Sequence, residues 1–349
     1  MGTGFCSNDN QQKIRSKFNI EESYCAIKTN GVLGFSNRRS AWRANGDSTG
    51  AISSTNAMML MANGENEISL EIGALGWFSD KPASMEERGR FFPKAGCSLD
   101  LVRFIKQEET LLSSIKVTIN QQGIPEARPD SVHPVIRKEI LAEQAEPGFI
   151  DPDYFDETYF PKGMKVYQFT QKVTVTGLPE WAWTRATPYT GSDEQLRKLK
   201  AAYTEMASII SSRDRARLKA YNKEALKAWS ATTGDSEDDI LLSLFSKDNV
   251  EGGKARMQPI RWDDYAVRVM NGGRMVQLYN KSKPIYSPLT YRFTDESGEE
   301  RMGYYAPVFS LIDGKRLVRT VLIFTESSDQ LSRATDRVPG LPASPGYVQ

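Results

Sequence analysis

Few residues in this chain are placed to do chemistry. Between Gly148 and Pro161, the segment Asp151-Pro152-Asp153-Tyr154-Phe155-Asp156-Glu157-Thr158-Tyr159-Phe160 sets four carboxylates among four aromatics. Carboxylates are hard ligands suited to calcium, but the central glycine and terminal glutamate of an EF-hand loop are missing. Paired carboxylates hydrolyse glycosides when held at a fixed separation, which spacing alone does not supply. Tyrosine and phenylalanine beside aspartate also suit a protein interface, with aromatics as anchors and acids setting polarity. A solvated loop whose aromatics fold back on a sheet is the plainest alternative. The interface reading makes Asp151, Asp153, Tyr154, Phe155, Asp156 and Tyr159 candidate partner-binding residues.

Trp181 and Trp183 form a second candidate, in Pro179-Glu180-Trp181-Ala182-Trp183. At strand spacing both rings share a face and could stack a sugar, although such pairs also serve in cores and interfaces; Trp181 and Trp183 therefore join the candidate partner-binding residues. His133 is the one histidine, between Pro129 and Pro134. No Gly-x-Ser-x-Gly elbow accompanies it, so a Ser-His-Asp triad is not expected. Arg38, Arg39 and Arg43 surround Trp42 ahead of Asn45-Gly46-Asp47, a cluster that reads as a solvated turn. Phosphate loops and dinucleotide fingerprints are incomplete or misplaced. No catalytic group, metal set or cofactor is assigned.

Composition sets the outer bounds. The chain has 349 residues with 45 Lys plus Arg against 44 Asp plus Glu. A net charge of +1 gives no global case for binding nucleic acid. At 39% hydrophobic and 26% charged, the composition is that of a folded globular protein long enough for two domains. Of the three cysteines, Cys6, Cys25 and Cys97, none forms a C-x-x-C pair. They suit either one disulfide tying the N-terminal segment to the first sheet, or buried thiols. No stretch reaches the roughly 18 apolar residues of a membrane span. Met1 to Cys6 shows neither a signal peptide nor a myristoylation pattern.

The elements that must position these residues are mostly strands. Ala57–Met61 and Glu67–Ile72 flank Asn63-Gly64 and read as a hairpin. Leu99–Ile105, Ile115–Ile119 and Tyr167–Val175 alternate with period two. Pro134–Glu146 fits a short helix carrying Ile136, Ile140 and Leu141, or else an edge strand. At Ser192 the period becomes helical, with capping boxes expected at Ser192, Ser211 and Ser236 and a stop at Gly234. From Tyr265 the pattern returns to β, with a hairpin around Asn271-Gly272-Gly273 and a meander through Thr290–Phe293, Met302–Ile312 and Arg316–Phe324. The expected class is α+β, mainly β. An antiparallel sandwich or jelly-roll domain spans 1–178. An α+β domain spans 179–326, with helices over 192–247 and strands over 262–324. A flexible Pro/Gly-punctuated tail covers 327–349.

Four stretches together carry a resemblance: Asn63-Gly64-Glu65-Asn66-Glu67-Ile68-Ser69-Leu70-Glu71-Ile72, Leu178-Pro179-Glu180-Trp181-Ala182-Trp183, the amphipathic run Leu199 to Leu218, and Tyr304-Tyr305-Ala306-Pro307-Val308-Phe309-Ser310. Over roughly 55–325 the chain resembles exported bacterial immunity proteins, in particular those that guard against phospholipase effectors of the type VI secretion system. The resemblance implies a non-enzymatic, periplasmic or membrane-anchored protein that binds a cognate effector and occludes its active site. The export signal would then have been removed from this chain; a cytoplasmic start is the alternative. Two other functions fit the residues: an envelope carbohydrate-binding lipoprotein using Trp181 and Trp183, and a carboxylate-based hydrolase with two acids facing across a cleft.

Overall fold

The computed structural model describes residues 12–128, 133–148, 160–284, 286–295, 297–312 and 316–323. The first half is a two-sheet antiparallel sandwich. Its strands are β1 (Lys13–Glu21), β2 (Tyr24–Thr29), β3 (Val32–Ser36), β4 (Gly50–Asn56), β5 (Gly64–Gly73), β6 (Gly96–Ile105), β7 (Glu108–Ile119), β8 (Pro125–Ala127), β9 (Ile136–Leu141) and β10 (Lys165–Val175). One sheet has the order β4-β1-β6-β7-β8 and the other β3-β2-β5-β10-β9. Alternation decides which side chains meet between them. Phe18, Ile20, Leu99, Ile115 and Val117 face Ile27, Ile68, Leu70, Ile72 and Phe169 in one buried cluster.

A disulfide joins Cys25 of β2 to Cys97 of β6. The cross-link therefore runs between the two sheets through the core. It does not tie down the N-terminal segment, and Cys6 lies outside the described residues. Geometry explains the choice, because both cysteines sit at inward positions of facing strands.

Three local expectations need correction. Ala57–Met61 is not the first arm of a hairpin. Met58–Leu60 forms a 3-10 turn buried on every side, and β5 pairs instead with β2 and β10. Pro134–Glu146 is not a helix. Ile136–Leu141 pairs antiparallel with Thr170–Lys165 as the edge of its sheet, where pairing on one side suffices. Ser211 caps no helix. The helix runs through it to Ser212, Arg213 turns left-handed at φ 60°, and Asp214 becomes the next cap. The expected tail, 327–349, lies outside the described residues.

Two short helices, α1 (Arg38–Arg43) and α2 (Met85–Arg88), flank the sandwich. With the 3-10 turn Leu75–Phe78 and Met164, α1 covers Tyr24, Ala26 and Val166 on the outer face of the second sheet. The second half begins at a 3-10 turn, Ala182–Arg185, and continues as α3 (Asp193–Ser212), α4 (Arg215–Tyr221), α5 (Lys223–Thr233), α6 (Glu237–Leu244) and α7 (Lys247–Val250). The Ser192 and Ser236 side chains accept the N–H groups of Gln195 and Asp239, and Gly234 closes α5 at φ 86°.

The helices pack on a third antiparallel sheet. Its strands are β11 (Arg256–Met257), β12 (Tyr265–Met270), β13 (Met275–Asn280), β14 (Leu289–Thr294), β15 (Glu300–Ile312) and β16 (Arg316–Ile323), in the order β11-β14-β15-β13-β12 with β16 also on β15. β13 and β15 register only at Val276 and Phe309, beside Pro307, which has no N–H to offer. Side chains fill this gap. The Tyr203 hydroxyl accepts from the Leu278 N–H at 2.9 Å and donates to the Pro307 carbonyl at 3.1 Å, and Gln277 donates to the Ala306 carbonyl.

The two halves share a core. Ala228, Met270, Met275 and Val308 enter the sandwich cluster beside Trp181 and Trp183. Asn271 N–H donates to the Asn30 carbonyl, and Asn56 donates to Thr232.

The disulfide closes a loop with a sequence separation of 72, and the chain-entropy relation assigns it about 4 kcal/mol. Replacing both Cys25 and Cys97 with alanine should lower unfolding stability by about that amount, read by urea denaturation. The change should be insensitive to added reductant in the variant and reproduced by reductant in the parent.

Candidate functional site

The proposed partner-binding residues Asp151, Asp153, Tyr154, Phe155, Asp156 and Tyr159 lie outside the described residues. What the structure does define is the ground on either side of them. Upstream, Gly148 is pressed against the second half. A Cβ at this position would come within 1.7 Å of Ser282 Oγ and 2.1 Å of Asp264 Oδ1, so only glycine fits. Two residues earlier, Glu146 N–H donates to the Lys281 carbonyl at 2.8 Å. Downstream, Phe160 meets the ring of Tyr24 edge-on at 5.5 Å, with the Arg38 guanidinium 4.5 Å above it.

Asp264 is the buried centre of the upstream ground. Its carboxylate accepts from Asn280 Nδ2 at 2.9 Å and from Ser282 Oγ at 2.8 Å. Its backbone carbonyl accepts from Lys281 N–H. The 3-10 turn Trp262–Asp264 aims it inward at the start of β12. A second fixture ties the same stretch to the β12–β13 hairpin. Arg268 Nη2 lies 2.6 Å from each Glu143 oxygen, Nη1 donates to Gln277 at 3.1 Å, and the guanidinium stacks 4.3 Å over Tyr279. Both carboxylate oxygens share one guanidinium nitrogen, and this charge-assisted, half-buried contact is stronger than an exposed pair.

On the sandwich side, Lys28 Nζ meets Glu71 at 2.5 Å and Gln168 donates to the same oxygen at 3.2 Å. Tyr24 stands beside them, fully buried. Burial pushes its hydroxyl well above the ordinary tyrosine value of 10.0, Glu71 adds to the rise, and Arg38 opposes it. Glu71 and Glu143 are thus each held by a cation. The arrangement is a platform of ion pairs and aromatic contacts. Among the described residues, no group of three or more His, Cys, Asp or Glu side chains is arranged to hold a metal.

Trp181 and Trp183 are not a stacking platform. They are 6% and 1% exposed, and the backbone turns into a 3-10 helix between them instead of running as a strand. Trp181 Nε1 donates to the Met58 and Met61 carbonyls at 3.2 and 2.9 Å, and Trp183 Nε1 donates to the Met59 carbonyl at 2.9 Å. A sugar ring needs an open indole face, and these faces are packed. Edges of both indoles nonetheless line a groove of about 300 Å³, together with Pro179, Glu180, Glu224 and Lys227. His133 is exposed, and its carbonyl accepts from Gln171.

Inspection of the sequence did not single out Asp264, Arg268, Glu143 or Tyr24. The glycine at 148 was the one available signal, since it marks a close approach, but its counterpart is 116 positions away in Asp264. No family model, curated protein or solved structure matches this chain.

Two outcomes follow from this geometry. Trp183→Ala should cost about 3–5 kcal/mol of stability, since it empties the joint and orphans the Met59 carbonyl; urea denaturation reads the loss. For Tyr24, the folded state holds the phenolic proton more tightly than the unfolded chain. Its contribution is therefore complete below pH 10 and is lost progressively as pH rises above that value. Tyr24→Phe should flatten the alkaline fall in stability, measured as urea midpoints between pH 9 and pH 11.

Proposed function

We propose that this chain is an exported, non-enzymatic binding protein of the immunity type, which neutralises a type VI secretion phospholipase by covering its active site. The observation that carries the reading is the Cys25–Cys97 disulfide. Such bonds persist in oxidising compartments such as the bacterial periplasm and are rare in the cytosol. That is the compartment the sequence resemblance implies. An inhibitor also needs a stiff scaffold that holds its contact residues in place before binding. The shared core, Gly148 wedged on Asp264, and Phe160 seated between Tyr24 and Arg38 support the reading of such a scaffold on either side of the acidic-aromatic segment.

In this reading Asp151, Asp153, Tyr154, Phe155, Asp156 and Tyr159 contact the effector. Carboxylates suit a phospholipase pocket built around histidine and lysine, and the aromatics act as anchors. Trp181 and Trp183 are withdrawn from the contact set because they are buried. The test is titration calorimetry against a type VI phospholipase encoded beside this chain, with lipase activity measured in parallel. The parent should bind and inhibit. The combined Asp153→Ala, Tyr154→Ala and Asp156→Ala variant should bind roughly 100-fold more weakly or worse. Unchanged affinity would reject the segment, and absence of binding by the parent would reject the reading itself.

A further inference from the structure

Lys13, Arg15 and Lys17 occupy alternate positions of β1 and so share the outer face of the first sheet. The two lysines are satisfied. Lys17 Nζ lies 2.9 Å from Glu109, and Lys13 Nζ donates to the Thr233 carbonyl at the C-terminal end of α5. Arg15, between them, is different. Its Nε donates to Ser54 Oγ at 2.9 Å and its Nη2 to the Ser54 carbonyl at 3.1 Å, and both acceptors are neutral. No carboxylate among the described residues pairs with it, and Nη1 has no partner there.

The cross-strand neighbours do not compensate. Arg15 sits opposite Asn56 on β4 and Val102 on β6, and Asn56 gives its amide N–H to Thr232. The side chain is partly withdrawn from water but keeps some surface in solvent. Burial pushes its pKa down, and no neighbouring acid opposes the shift. A guanidinium stays charged under all ordinary conditions, so a desolvated one without a counter-charge is an unmet electrostatic demand. Ser54 also holds the head in one orientation, which lowers the ordering cost of a ligand meeting it.

We propose that Arg15, fixed by Ser54 and flanked by Lys13 and Lys17, is a binding site for a small oxyanion, a phosphate or carboxylate group. The anion takes the free Nη1 edge of the guanidinium and supplies the charge the fold leaves out. The site lies on the sandwich face opposite the one that carries the ion-pair platform, and it does not depend on the immunity reading.

Urea unfolding of the full chain at constant ionic strength, with chloride exchanged for inorganic phosphate or for acetate, tests it. The folding constant should rise saturably, by about elevenfold at ten times the dissociation constant. Arg15→Met, which keeps the apolar stem, should abolish the increment. A response to phosphate but not acetate assigns a phosphate group, and the converse assigns a carboxylate. Vesicles of phosphatidic acid in phosphatidylcholine that retain the parent but not R15M place the phosphate on a lipid headgroup. Should R15M fail to fold, the Arg15 Nε–Hε resonance and the Ser54 amide of the parent must move together on phosphate or acetate addition. Equal stabilisation of parent and R15M, or no response of either resonance to any anion, overturns the proposal.

Discussion

The fold depends on how the carbonyls of one buried turn are satisfied. Residues 58–61 leave the β pattern between β4 and β5 and pack at the centre of the molecule, with no strand partner for their backbone. Buried carbonyls without donors cost free energy comparable to a lost hydrogen bond. Trp181 and Trp183 supply donors to Met61 and Met59 from more than 100 positions away, and Asn30 supplies one to Leu60. The same indoles pack in one cluster with Ala228 of α5, so side chains that help to satisfy the turn also join the two halves. Met270, Met275 and Val308 then extend a single apolar cluster across the joint.

With the halves joined, electrostatics sets the details of the surface between them. Glu143 and Arg268 form an ion pair across the gap, and the buried Asp264 accepts from Asn280 and Ser282. Lys28 and Glu71 pair on the covered outer face of the second sheet. These charges lie around the two points where the acidic-aromatic stretch leaves and rejoins the described chain, at Gly148 and Phe160. The outer face of the first sheet exposes the apolar Ile52 beside polar side chains, and there Arg15 has only neutral acceptors among the described residues. The near-zero net charge thus conceals a guanidinium that no acid among the described residues matches.

Much of the fold was legible because one face of each regular element is wet and the other dry. Tyr167 to Val175, Ile115 to Ile119 and the helix from Ser192 all follow that rule. The misreadings arose where both faces are equivalent. Met58–Leu60 is buried all round, so an apolar run looked like a strand. Ile136–Leu141 is largely exposed, so its apolar residues looked like a helical stripe. Trp181 and Trp183 have strand spacing in the sequence, but local backbone curvature and distant carbonyls determine where their rings go. Of the platform around the candidate site, only Gly148 left a mark in the chain.

By itself the sequence determined the α+β, mainly β class, the β-to-α-to-β order along the chain, and the caps at Ser192 and Ser236. These are local matters of periodicity and capping, decided within a few residues. Only the tertiary structure decided that Cys25 bonds to Cys97, that the tryptophans serve the core, that Asp264 meets Gly148, and that Arg15 has no acid partner among the described residues. Each of these joins residues tens to more than a hundred positions apart. Their proximity follows from sheet order and packing of the whole chain, which no local pattern encodes.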